Sequence, residues 1–112
     1  MFVETEVRPQ GEPQEVQPLD AASRLLLKAA ALIEKRGWCQ NNYMASDGRL
    51  CLIGAIKVAD GISVHDSTTA VDEACVRFFQ MVGLVTHRWN DVPGRTKEEV
   101  VAKLRAVALW HS

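Results

Sequence analysis

Cys39, His87 and Asn90 occur in the chain order of a nucleophile, a base and an orienting group. A thiol attacks an electrophilic carbon only when a neighbouring base takes its proton and a third side chain holds that base in place. Asn90 or Asp91 can fill the third role. That trio would make the chain a cysteine-dependent hydrolase or transferase. No family-specific local signature surrounds Cys39, and a trio of common residue types arises easily by chance. The same residues have a structural reading, which we favour. Trp38 and Trp89 anchor two loops on the core, and Cys39 is a small buried apolar side chain. Cys39, Cys51, Cys75, His65 and His87 match no compact zinc-binding spacing, so neither a metal nor another cofactor is expected.

The two tryptophan-bearing stretches read Gly37-Trp38-Cys39-Gln40 and His87-Arg88-Trp89-Asn90-Asp91. If they meet, Trp38, Gln40, Trp89, Asp91 and Arg95 are the candidate binding residues. The bland alternative is a loop clamp. Asn and Asp bond their own loop backbone, and Arg95 is expected to pair with Asp91 across the Pro93-Gly94 turn. Arg88, Arg95, Lys97, Lys103 and Arg105 put a positive excess near Trp89, which suits contact with nucleic acid by charge and stacking. Asp91, Glu98 and Glu99 dilute it, favouring a solvated mixed face.

The elements that must position these residues are helical. Asp20 is an N-cap, with Leu25, Leu26, Ala29, Ala30, Leu32 and Ile33 at helical spacing behind it. Lys35 and Arg36 suit the last turn, and Gly37 stops the helix. Residues 38–48 read as a loop, with Asn41-Asn42 and Asp47-Gly48 as turn chemistry. Leu50 to Asp60 is a second, mostly apolar helix, with a strand over Leu50–Ile53 as the alternative. Gly54 inside it lowers helix propensity and points to a close contact. Asp66 or Ser67 caps a third helix carrying the stripe Val71, Ala74, Cys75, Phe78, Phe79 and Val82, and Gly83 ends it. Residues 84–95 read as a second loop. Thr96-x-x-Glu99 is a capping box that opens a fourth helix with Val100, Val101, Leu104, Val107 and Ala108.

Ahead of these elements, residues 1–19 carry three of the four prolines, four glutamates and three glutamines. Such a segment buries too little to offset its ordering entropy. It is expected to be a disordered or extended arm, in which Phe2, Val3, Thr5 and Val7 suit a short strand pairing with another chain. The expected architecture is all-α: a compact four-helix domain over residues 20–112 behind that arm.

Composition narrows the function. The 112 residues fit one domain, and 13 basic against 14 acidic residues give a net charge of -1. Near-balance argues against a general polyanion binder. The third helix carries Asp72 and Glu73 against Arg77, the wrong sign for a helix-turn-helix approaching phosphates. No apolar run is long enough to span a bilayer, and the first residues lack the pattern of a secretory signal. Three cysteines without a C-x-x-C pair fit a reducing, cytoplasmic setting.

Three blocks in order carry a family resemblance: Gly37-Trp38-Cys39-Gln40, Asp47 to Ala55 with Cys51-Leu52-Ile53-Gly54-Ala55, and Trp89-Asn90-Asp91 leading into Arg95-Thr96-Lys97-Glu98-Glu99-Val100. This order resembles a family of small bacterial and phage proteins known only by a domain-of-unknown-function label. The likeness covers residues 23–108, and its third block is the most specific. The family pattern often has a longer insert before the C-L-x-G-A helix, which this chain lacks. The resemblance implies domain limits and no activity. The expectation is therefore a non-enzymatic protein-interaction module whose partner is another protein or a second copy of the chain.

Overall fold

The computed structural model describes residues 19–110. The arm expected over 1–19 therefore lies outside the described residues, apart from Leu19. Within them the fold is all-α, with five helices: α1 (Ala21–Arg36), α2 (Leu52–Ala59), α3 (Thr69–Val82), α4 (Thr86–Asn90) and α5 (Lys97–Ala108).

Local chemistry sets most of the helix ends. Asp20 accepts from the Ser23 N–H at 3.0 Å, satisfying one of the donors a helix start leaves free. Gly37 closes α1 at φ 95°, its N–H donating to the Ile33 carbonyl at 2.8 Å. A side chain is rarely stable at that φ, and a Cβ there would also press on the Arg49 stem. Thr96 and Glu99 form the expected reciprocal capping box.

Burial assembles the helices. Leu26, Ala29, Ala30 and Ile33 are fully buried on α1, and α1 packs against α5, α2 and α3. Ala29 and Ala30 leave room for close approach. Leu52, Ala55 and Ile56 of α2, Phe78 of α3 and Val100, Leu104 and Val107 of α5 complete one continuous core. On the rim, Arg77 of α3 bridges Asp20 at the start of α1 and Glu73 on its own helix.

Four details differ from the sequence reading. The second helix begins at Leu52, because Leu50 is held in two isolated bridges to Trp38 and Met44. Thr68 rather than Asp66 or Ser67 caps α3, accepting from the Val71 N–H at 3.1 Å, while the Ser67 hydroxyl donates to Asp72 instead. The stretch read as a loop over 84–95 contains α4, a single helical turn that packs on α2 and α3. Phe79, placed by its spacing on the core stripe, is 47% exposed.

Candidate functional site

The two tryptophan-bearing stretches meet, and Asn90 is where they meet. Residues 37–39 run beside Leu50, with the Leu50 N–H donating to Gly37 and the Cys39 N–H to Leu50, both at 3.1 Å. The chain then turns through Asn41, whose φ of 70° is left-handed, a conformation Asn tolerates better than most residues. Tyr43 brings its carbonyl back over α2, where the Cys51 N–H donates to it at 3.2 Å. That return requires Gly54: a Cβ there would lie 2.0 Å from the Tyr43 oxygen. The close contact foreshadowed by Gly54 is thus with a loop backbone.

Asn90 ends α4 with 0% exposure, and its amide uses its full bonding capacity. Oδ1 accepts from the Trp38 indole N–H at 2.7 Å and from the Leu52 N–H at 3.0 Å. Nδ2 donates to the Cys39 carbonyl at 3.2 Å and to Asp91 Oδ1 at 2.9 Å. Leu52 is the first residue of α2, so a side chain of α4 satisfies a free donor of another helix start. Cys51 assists there, its sulfur accepting from the Gly54 N–H. Gln40 adds two bonds from its Nε2, to the carbonyls of Asn90 and Val92, both at 3.0 Å. Asp91 Oδ1 accepts from the Asn41 N–H at 2.9 Å.

On the far side of α4, Trp89 is buried edge-on against Phe78, with ring centroids 5.1 Å apart. The Arg95 guanidinium stacks 3.8 Å from the centre of the Trp89 ring, and its Nε donates to the Trp89 carbonyl. Arg95 lies near Glu99, at 3.8 Å, and makes no ion pair with Asp91. The expected Arg95–Asp91 pair is thus replaced by a stack, because the Asp91 oxygen is turned toward Asn41 and Asn90. Other basic residues of this quarter are also engaged: Arg105 pairs with Glu34, and Lys97 donates to the Glu34 carbonyl.

Cys39 is buried, and its single S–H is shared between the carbonyls of Asn42 and Arg49, 3.4 and 3.5 Å from the sulfur. Burial pushes that thiol above its usual range. Cys51 is pushed up to about 11, also by burial, as is Cys75 in direction. A thiolate nucleophile needs the opposite shift. His87 is exposed and makes no side-chain hydrogen bond among the described residues. No group of three or more His, Cys, Asp or Glu side chains among the described residues is placed to hold a metal ion. No described helix is long and apolar enough to cross a membrane.

Two depressions flank α4. A pocket of about 400 Å³, lined mainly by residues of polar type, is formed by Cys51 and Asn90 together with Asn41, Asn42, Tyr43, His87 and Asp91. Beside it runs a more apolar groove of about 470 Å³ between α2, α3 and the start of α4. Val71 and Cys75 form its base, and Tyr43, Val76, Phe79 and Val85 stand exposed along it. Sequence reasoning missed this groove. Of its exposed apolar residues only Phe79 had been singled out, and helical spacing assigned it to the core.

The model of a family of unknown function (DUF6197) matches residues 17–109, and the chain belongs to that family. No curated protein and no solved structure matches it.

Proposed function

For this member of a family of unknown function, we infer that the chain is a non-enzymatic protein-interaction module whose binding face is the groove between α2, α3 and α4. The exposure of Val76 (52%) and Phe79 (47%) around one groove carries the reading. Isolated exposed apolar side chains are ordinary on a protein surface. Four converging on one depression have the character of a recognition surface. We prefer this to a Cys39–His87 catalytic pair. The Cys39 thiol is buried, raised, and shared between two carbonyls, and the Asn90 amide has no bonding capacity left to orient a histidine. Three unpaired thiols suit a reducing, cytoplasmic location.

The test is co-purification of tagged chain from its native host, with Phe79→Asp as the comparison. Phe79 is exposed, so the variant should melt like the parent. Reproducible recovery of one protein with the parent and its loss with the variant is the expected result. Equal recovery with both, or recovery with neither, would refute the reading.

A further inference from the structure

Tyr43 and His87 line both the apolar groove and the pocket, so one ligand can occupy the two together. The pocket lining includes the Asp91 carboxylate and no lysine or arginine. Asp91 is half-buried. Its Oδ1 is held by the Asn41 N–H and by Asn90 Nδ2, both at 2.9 Å. Its Oδ2 receives no hydrogen bond among the described residues, and no described lysine or arginine lies within ion-pair distance. The contrast with Asn90 is sharp, since every polar atom of its amide is engaged.

The groove repeats the same sign. Asp72 stands on its wall, with one oxygen taking a bond from Ser67 at 2.6 Å. Lys57 is the one lysine or arginine of that lining. Its ammonium is already used: it donates to the Val64 carbonyl at 3.2 Å and lies 5.2 Å from the centre of the Tyr43 ring. The combined surface is apolar with two carboxylates and a single engaged lysine.

We propose that the occupant is a segment of a partner protein that lays apolar side chains in the groove and places one lysine or arginine in the pocket against Asp91. This rests on the interaction reading above and names the chemistry of the partner. A partly desolvated carboxylate with one oxygen unbonded and no cationic partner favours a complementary cation and penalises an acidic segment. Lysine and arginine also carry an apolar stem, which suits a pocket walled by the Tyr43 ring and reached from an apolar groove. The pocket, at about 400 Å³, has room for either side chain.

The experiment pans the immobilised full chain against a displayed library of short random peptides. Synthetic copies of the enriched peptides are then titrated against the parent, Asp91→Asn and Phe79→Asp by fluorescence anisotropy. Asn at 91 keeps an oxygen for the Asn41 and Asn90 donors, so the fold is retained, as circular dichroism will verify. The expected result is a set of apolar peptides with a basic residue at a fixed offset. Asp91→Asn should weaken them about tenfold or more, and Phe79→Asp should remove binding. Apolar peptides with no basic residue, binding Asp91→Asn as well as the parent, would overturn the basic anchor and leave the groove reading standing. No enrichment, or binding undiminished by Phe79→Asp, would overturn the groove reading and this inference with it.

Discussion

Replacing Asn90 by alanine should be among the most damaging single changes at the junction. The side chain is fully buried and makes four hydrogen bonds, three of them to two distant segments and one to its neighbour Asp91. Truncation leaves the Leu52 N–H and the Cys39 carbonyl without partners, both in buried residues. A buried polar group stripped of its partner costs about 1–3 kcal/mol. Two such groups give about 2–6 kcal/mol, and the emptied volume adds to this. Trp38 contributes less, because its half-buried indole can turn to water. We expect a loss of about 4 kcal/mol, which is a large share of the roughly 5–15 kcal/mol typical of native domains.

Urea denaturation followed by tryptophan fluorescence measures it. With a slope of about 1–1.5 kcal/mol per molar urea, the midpoint should fall by roughly 3 M. Asn42→Ala is the control: its side chain is exposed and makes no hydrogen bond among the described residues, so a shift within about 0.5 kcal/mol is expected. Asn90→Asp separates bonding from volume. It keeps the shape and the acceptor oxygen, but once ionised it cannot donate to Cys39 and sets a second carboxylate beside Asp91. The buried carboxyl should have a raised pKa in the folded state, so its penalty is absent at pH well below 4 and grows as pH rises through the unfolded value of about 3.9. If Asn90→Ala costs less than about 1 kcal/mol, the junction does not carry the stability argued for it.

Three further outcomes follow from named contacts. Gly54→Ala should destabilise by about 2 kcal/mol or more despite the better helix propensity of alanine, because the added carbon meets the Tyr43 carbonyl at 2.0 Å; a neutral or stabilising result in the same urea titration would disprove that contact. Cys39 should alkylate slowly with iodoacetamide at pH 8 in the native protein and rapidly in urea, since burial raises its thiol; native reactivity matching a free thiol would restore the nucleophile reading. The Asp20–Arg77 pair holds the Asp20 carboxyl below its usual range, chiefly by the Arg77 hydrogen bond and then by the Ser23 N–H. A depressed folded pKa gives stability that is present above about pH 4 and lost as pH falls. Asp20→Asn should therefore lower the melting temperature at neutral pH, with the gap to the parent closing as pH falls below about 4; a gap that does not narrow in acid would refute the assignment.

What was legible in the chain was what local chemistry decides. Asp20, Gly37 and the Thr96–Glu99 box act within four residues of themselves, and each does what its type and spacing imply. Three elements escaped for physical reasons. Asp66, Ser67 and Thr68 are all competent caps, and the choice falls to Thr68, whose hydroxyl donates to Asp60 just past the end of α2 while accepting from the Val71 N–H. The five-residue α4 has no side-chain cap and is too short to be helical alone; it exists because Trp89 and Asn90 are buried by other helices. Phe79 has the right spacing for a core stripe, but periodicity does not reveal whether a neighbour covers the stripe's edge.

Asn90 is the sharper case, because its importance has no local signature at all. Its partners Leu52, Cys39 and Trp38 lie 38, 51 and 52 residues away, so only the folded chain can display them. The same distance explains why a catalytic constellation and a structural junction look alike in sequence: both require Cys39 and Asn90 to come together, and they do. For Asn90, bonding capacity distinguishes them. A catalytic amide must keep an atom for the group it orients, and Asn90 keeps none. The free capacity lies one residue on, at Asp91 Oδ2, and on the outward side chains of Asn41, Asn42 and His87. The junction and the pocket are therefore two faces of one arrangement. The closed network of Asn90 holds α4 against the 38–43 segment, and that fixed floor presents Asp91 at a set position beside the groove. Loosening the floor with Asn90→Ala should accordingly weaken any ligand that uses Asp91, even where the variant remains folded. A folded Asn90→Ala protein that binds the selected basic peptides as tightly as the parent would show that the pocket does not depend on the junction beneath it.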